Sequence, residues 1–195
     1  MKIICIGDSL TFGYGVWRND CWVTLISRST GLRTLNRGVN GDTSAYMLQR
    51  ARSRAITEEA EEGDLIIIMG GANDVLMYGA DENDAQNILK IADLAKSKGC
   101  IPIIGIQPGF RPSPYAFYGP LDPVKLNSNF DTFAAMVLEG AKARESLTFD
   151  LRTVLSDPDL FEDGVHPTED GHRLIADAVL DLIRPLLPES DHQPE

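Results

Sequence analysis

A serine follows the first apolar run of the chain, in the string Gly7-Asp8-Ser9-Leu10. The run at residues 3–6 is Ile-Ile-Cys-Ile, which predicts a buried strand with Ser9 on a tight turn at its carboxyl end. The loops at these strand ends converge on one crevice in open α/β sheets, so chemistry is expected there. Ser9 is therefore a candidate nucleophile. Asp8 and Ser9 could instead simply cap the following helix, as both residue types often do.

A carboxylate and a histidine, Asp163 and His166, stand three positions apart near the other end of the chain. A serine hydroxyl is too weakly acidic to attack a carbonyl unaided, so a base must take its proton and later give it to the leaving group. Asp163 could accept the other ring N–H, which would fix the tautomer and stabilise the imidazolium. We predict Ser9, His166 and Asp163 as catalytic, and interpret His172 and His192 as structural.

Two more polar segments follow apolar runs, at residues 36–44 and 70–74. The tetrahedral intermediate of acyl transfer carries an anionic oxygen that needs fixed hydrogen-bond donors. The backbone N–H groups of Ser9 and Gly41 and the side-chain amide of Asn73 could supply them, although Asn73 could also merely bridge its own turn. The neighbouring carboxylates are interpreted as turn and capping residues: Asp8, Asp42 and Asp74.

Short apolar runs alternate with helical patterns along the chain, which predicts βαβ units and a parallel sheet. Strands are predicted over residues 2–6, 33–36, 64–69, 101–106 and 147–151. Such crossovers are nearly always right-handed, so helices are expected on both faces if the strand order reverses along the sheet. The fold class is therefore α/β, a three-layer α/β/α sandwich with a five-stranded parallel sheet. Residues 1–187 are expected to form a single domain, followed by a polar, disordered tail at 188–195.

The composition argues against several classes of partner. The chain has 195 residues, 18 of them basic and 29 acidic, and its net charge of -11 repels nucleic acid and anionic membranes. No stretch is long and apolar enough for a signal peptide or a membrane span, which predicts a cytoplasmic protein without membrane anchoring. Cys5, Cys21 and Cys100 lack Cys-x-x-Cys spacing and are predicted to be buried free thiols. Neither a cofactor nor a metal is expected.

Four motifs in order carry a resemblance to a known family. Gly-Asp-Ser-Leu at 7–10, a glycine after the second strand, Gly-x-Asn-Asp at 71–74 and Asp-x-x-His at 163–166 resemble the four blocks of the SGNH, or GDSL, hydrolase superfamily. Segments 40–44 and 163–167 are most similar to its bacterial thioesterase, arylesterase and lysophospholipase branch. The resemblance implies a flavodoxin-like strand order 2-1-3-4-5.

The resemblance also implies roles for individual residues. Ser9, Asp163 and His166 would form the catalytic triad, and Ser9, Gly41 and Asn73 the oxyanion hole. Gly41 is preferred over Gly38 because the Asp-Thr-Ser that follows it matches the branch.

The sequence is compatible with three functions. The first is a cofactor-independent serine esterase that cleaves small acyl esters or thioesters through an acyl-enzyme intermediate. The second is a carbohydrate O-acetyl esterase that uses the same site. The third is a non-catalytic flavodoxin-like binding module whose Asp-Ser turn holds phosphate.

A small-molecule acyl ester is the expected partner, and homo-oligomerisation is left open. The aromatic and proline-rich segment 107–121 could form an apolar wall or lid for an acyl chain, or its aromatic residues could pack beneath the loop or against a second subunit.

Overall fold

A computed structural model describes residues 1–188. His192 and the predicted tail from residue 189 onward lie outside the described residues. Among residues 1–188, no helix combines the length and the apolar character that crossing a bilayer requires.

Five parallel strands form one sheet in the order β2-β1-β3-β4-β5. The strands are β1 Ile3–Gly7, β2 Thr34–Gly38, β3 Leu65–Met69, β4 Ile101–Ile106 and β5 Leu147–Asp150. β1 and β3 are fully buried, as their unbroken apolar runs predict for strands covered on both faces. The predicted fold class and strand order are confirmed.

The strand ends differ slightly from the prediction, for local reasons. β1 and β2 continue to Gly7 and Gly38, which pair with each other. β3 begins only at Leu65, since the Asp64 carboxylate accepts backbone N–H bonds from outside the strand. β5 ends at Asp150, whose side chain accepts the Arg152 N–H at 3.0 Å and so starts a helix. β4 has the predicted bounds, with a proline as its second residue.

Two helical layers cover the sheet. In one, α2 (Trp22–Thr30) packs against α8 (Glu169–Ile183); in the other, α5 (Glu82–Ser97) packs against α3 (Ser44–Arg50) and α6 (Pro123–Ala143). The α-helices of residues 1–188 are α1 Ser9–Phe12, α2 Trp22–Thr30, α3 Ser44–Arg50, α4 Ala72–Tyr78, α5 Glu82–Ser97, α6 Pro123–Ala143, α7 Leu151–Val154 and α8 Glu169–Ile183. A π-helical turn at Ala51–Ala55 and 3-10 turns at Pro158–Leu160 and Arg184–Leu186 complete the elements. The short helices α1 and α4 begin at the carboxyl edge of the sheet, where the polar motifs lie.

His172 is buried on α8 and faces the start of α2. Its Nδ1 accepts the Trp22 backbone N–H at 3.4 Å, and within residues 1–188 its Nε2 has no hydrogen-bond partner. Burial lowers the pKa of His172 from 6.5 to about 4, and the charge of His166 acts in the same direction. The structural interpretation of His172 is consistent with this environment.

We expect His172 to make the stability of the fold pH-dependent. Between pH 6.5 and about 4 the unfolded chain protonates this histidine and the folded chain does not. The free energy of unfolding should therefore fall by up to about 3 kcal/mol as the pH drops through this window. His172→Asn keeps an acceptor for the Trp22 N–H but does not titrate. Urea unfolding of both proteins should show the free energy of unfolding of the wild type falling by that amount relative to the variant as the pH drops toward 4. A difference between the two proteins that stays constant with pH would contradict the expectation.

Candidate active site

The turn after β1 exposes one face of Ser9. Asp8 is the N-cap of α1, and its Oδ1 accepts the Leu10 N–H at 3.0 Å. Gly13 ends the helix in the left-handed conformation at φ 90°. Trp22 fixes the helix from the side by donating its indole N–H to the Leu10 carbonyl at 2.9 Å. Asp8 thus has the capping role, and the Ser9 hydroxyl is free to face the cavity above the sheet.

Three side chains predicted to act together meet at this edge. His166 Nε2 lies 3.0 Å from Ser9 Oγ, across 157 positions of sequence. On the other side of the ring, Nδ1 lies 2.7 Å from Asp163 Oδ2. Both distances are those of hydrogen bonds, and they connect a hydroxyl, an imidazole and a carboxylate in series. With Nδ1 donating to the carboxylate, Nε2 is the nitrogen left to accept the serine proton.

The Asp163 carboxylate is held by its own turn. Its Oδ1 accepts the backbone N–H groups of Val165 at 3.0 Å and His166 at 2.8 Å, which leaves Oδ2 for the imidazole. Partial burial alone would raise the pKa of Asp163, but the hydrogen bonds from the His166 side chain and backbone outweigh it and lower the pKa below 3.8. The carboxylate is therefore ionised at neutral pH.

Two aromatic rings flank His166, and neither was singled out from the sequence as a contact of this histidine. Tyr14 packs at 4.5 Å between ring centroids, and Phe117 approaches edge-on at 4.9 Å. His166 is only 3% exposed as a result. The rings restrict the rotation of the imidazole and limit its exposure to water.

Segment 107–121 fits both of the interpretations offered for it. Phe110 and Tyr118 are buried and pack edge-to-face, whereas Phe117 is half-exposed beside the site. The segment also binds the turn that carries Asp163 and His166. Arg111 donates its backbone N–H to the Gly164 carbonyl at 2.8 Å, and Phe117 donates to the Asp163 carbonyl at 2.9 Å.

Gly41 and Asn73 line the same small cavity as His166. The cavity has a volume of about 60 Å³, and Ser9, Gly41, Asn73 and His166 all line it. Gly41 adopts φ +79° at the third position of a turn closed by the Asp42 N–H and the Val39 carbonyl.

Asn73 Nδ2 donates one hydrogen to the Asp42 carbonyl at 2.9 Å, so its second hydrogen is available to a ligand. Asn73 therefore joins two loops rather than bridging its own turn. Gly38 lies elsewhere, at the end of β2, where an added Cβ would come within 2.1 Å of the Phe12 nitrogen.

The two remaining carboxylates near the site have structural partners, and of these Asp74 has the predicted capping role. Asp42 forms an ion pair with Arg50 at 2.6 Å. Asp74 accepts the Ser44 backbone N–H at 3.0 Å and the Ser44 hydroxyl at 2.7 Å, and so caps α3 from another element. Burial raises the pKa of Asp74 to about 6, although the hydrogen bonds from Ser44 oppose the rise.

Other parts of the structure fit the chemistry less well. A larger cleft of about 520 Å³ is lined by Phe12, Cys21 and Asn36 among others, and contains none of the predicted site residues. Residues 75–78, which follow Asn73 and Asp74 on α4, are not among the residues that line the small cavity. Within residues 1–188, no three His, Cys, Asp or Glu side chains are grouped as a metal ion would require. The three cysteines are free and buried, as predicted.

The chain is similar to known proteins over most of its length. The model of the GDSL-like Lipase/Acylhydrolase family matches residues 5–174. Esterase TesA of Pseudomonas aeruginosa is 25% identical over 193 residues, covering 95% of this chain and 89% of its own length. The thioesterase 1/protease 1/lysophospholipase L1 of Escherichia coli is 25% identical over 195 residues, covering 95% and 84%. The crystal structure of a lipolytic G-D-S-L protein from Veillonella parvula superposes with a TM-score of 0.75 at 28% identity, covering 94% of this chain and 98% of that one.

Proposed function

The chain belongs to the GDSL-like lipase/acylhydrolase family, and from that premise we propose that Ser9 is the nucleophile of a serine ester hydrolase. The observation that carries the proposal is the 3.0 Å contact between Ser9 Oγ and His166 Nε2. We assign His166 as the general base and acid, and Asp163 as the group that orients it. The donors for the anionic oxygen are the Ser9 and Gly41 N–H groups and the Asn73 amide.

In acylation, Ser9 Oγ forms a bond to the carbonyl carbon of the ester while its proton moves to His166 Nε2. The π electrons of the carbonyl move onto its oxygen, and the resulting oxyanion accepts hydrogen bonds from the three donors. When the tetrahedral intermediate collapses, the bond to the leaving group breaks. The alkoxide or thiolate takes the proton from Nε2 and departs, leaving an acyl-serine.

In deacylation, a water molecule takes the place of the Ser9 hydroxyl as the nucleophile, and the same steps follow. His166 Nε2 takes a proton from the water as its oxygen attacks the acyl carbon, and the same three donors bind the oxyanion. The Ser9 oxygen then leaves, and His166 returns the proton to it. The products are a carboxylic acid and free enzyme, and no redox or group-transfer cofactor enters the balance.

The cavity favours small acyl groups. Its 60 Å³ has room for roughly four water-sized groups, well short of the ~300 Å³ or more of a pocket for a larger ligand. Tyr14, Phe117 and Val165 are among the residues that line it. We therefore propose small acyl esters or thioesters as substrates, with the alcohol or thiol portion directed toward solvent.

An acyl-chain series tests the proposed function. We expect p-nitrophenyl acetate and butyrate to be cleaved with a kcat/KM at least about tenfold above that of the octanoate, because longer chains do not fit the cavity. The Ser9→Ala protein serves as the background control. A kcat/KM that rises with chain length would contradict the small-acyl assignment.

The carbohydrate O-acetyl esterase remains the second candidate, since an acetyl group fits the same cavity. Adding acetylated xylan and sugar acetates to the series distinguishes the two functions: a clear preference for sugar acetates over the p-nitrophenyl acetate and butyrate would favour the second. The non-catalytic binding module is set aside, because the matched family consists of acylhydrolases.

We further propose that residues 1–187 act as one domain and that the protein works in the cytoplasm. The second proposal is supported by three free, buried thiols, which are typical of proteins from reducing compartments.

A further inference from the structure

Gln107 lies immediately after β4 at the carboxyl edge of the sheet and is 1% exposed. In the strand order, β3 separates β4 from β1. The Gln107 side chain nevertheless forms hydrogen bonds with the turns that follow β1 and β3. Gln107 carries the one side-chain amide of segment 107–121, and this amide contacts Asp8, the residue next to Ser9.

Both the nitrogen and the oxygen of the Gln107 amide form hydrogen bonds. Its Nε2 donates to the Asp8 carboxylate, at 3.0 Å from Oδ1 and 2.8 Å from Oδ2. Its Oε1 accepts the backbone N–H of Ala72 at 2.9 Å. Asp8 directly precedes the proposed nucleophile, and Ala72 directly precedes the proposed oxyanion donor Asn73.

The neighbouring residues do not provide these bonds themselves. Gly71, the N-cap of α4, has no side chain that could accept an N–H at the start of that helix, so Gln107 acts as the cap from another element. An added Cβ at Gly71 would come within 2.2 Å of Phe133, which explains why a capping side chain does not fit there. The Asp8 carboxylate is fully buried and also caps α1.

We propose that Gln107 is a positioning residue that holds α1 and α4 at a fixed separation, and thereby aligns the Ser9 hydroxyl with the Asn73 amide. The proposal rests on the proposed roles of Ser9 and Asn73. Alignment matters because a displacement of the order of 1 Å between a nucleophile and the groups that stabilise its transition state can cost about 10²-fold in rate.

The charges around Asp8 allow a pH-dependent test. Burial raises the pKa of Asp8 to about 6, although the hydrogen bonds from Gln107 and Leu10 oppose the rise. The charge of His166 lowers this pKa, and the charge of Asp74 raises it. A carboxyl group placed at Gln107 would sit against this buried carboxyl. Two carboxyls in such contact share one proton and cannot both ionise without repulsion.

Gln107→Glu has nearly the same shape as the wild type and titrates. While it is protonated, its O–H donates to Asp8 and its C=O accepts the Ala72 N–H, so both contacts persist. Once both carboxyls are ionised, the contact to Asp8 becomes repulsive. We expect the ratio of variant to wild-type kcat to be within about threefold of one near pH 5.5 and to fall at least about tenfold by pH 8.5. Gln107→Leu should lose about 10²-fold in kcat at every pH, with KM little changed.

Gln49→Glu, an exposed change of the same type on α3, is the matched control and should give a ratio near one throughout. A side chain that only fills space would give a pH-independent ratio for Gln107→Glu, because Glu and Gln have similar volumes. A ratio that is flat with pH, or a Gln107→Leu kcat within twofold of wild type, would overturn the proposal. Failure of the proposed function itself is distinguishable, because the wild type would then show no hydrolysis that depends on Ser9.

Discussion

Replacement of Ser9 with alanine is expected to abolish ester hydrolysis, with kcat falling by about 10⁶-fold. The variant keeps the cavity, Gly41 and Asn73, but it has no oxygen that can form the acyl-enzyme. What remains should be the modest acceleration that binding and the oxyanion donors provide without a nucleophile. Because Ser9 is nearly buried and its hydroxyl bonds only to His166 among the described side chains, the variant should fold normally.

Two measurements check this expectation. The first is kcat on p-nitrophenyl acetate, alongside a circular dichroism spectrum that verifies the fold. The second is mass spectrometry after treatment with a fluorophosphonate, which should modify the wild type at Ser9 alone and leave the variant unmodified. Ser53→Ala, an exposed serine change away from the cavity, is the control and should retain both activity and labelling. Undiminished turnover in Ser9→Ala would remove Ser9 from the mechanism.

Asp163→Asn should produce the second largest loss, about 10⁴-fold in kcat. The expected cause is the tautomer of His166. The asparagine oxygen can replace Oδ1 and accept the Val165 and His166 backbone N–H groups, which directs the amide NH₂ toward His166 Nδ1. Nδ1 must then accept a hydrogen bond, so the neutral ring carries its proton on Nε2. That nitrogen can no longer take the proton of Ser9.

The loss should appear in kcat rather than in KM, because the carboxylate does not line the cavity and acts only through the imidazole. Glu162→Gln removes a neighbouring carboxylate of the same charge, and its side chain is exposed, so it serves as the control. If Asp163→Asn kept more than about a tenth of the wild-type kcat, another group would have to orient His166, and the triad assignment would be wrong.

Local patterns in the sequence were sufficient to predict the three-layer α/β/α class, whereas the strand order was predicted from the family resemblance. The β-branched run before Met69 and the shorter one before Gly7 can be stable only when buried, and the helical periods between them require parallel crossovers. The strand ends were less accurate, because the last ladder bonds depend on the partner strand: Gly38 belongs to β2 since Gly7 pairs with it. The residue types for acyl transfer were also visible, as one hydroxyl, one carboxylate–histidine pair and two donor segments, each after a predicted strand.

The contacts among these residues belong to the tertiary structure. Nothing local in the sequence places Ser9 beside His166 across 157 positions. The preference for Gly41 over Gly38 came from the family resemblance, and in the structure Gly41 lines the cavity whereas Gly38 does not. Tyr14, Phe117 and Gln107 are of types that occur anywhere in a globular protein, and they gain their roles only from the elements that face them. The physical reason is that burial patterns and turn propensities act between residues close in sequence. Hydrogen bonds such as those of Gln107 depend on the strand order and on the exact packing of the two helical layers.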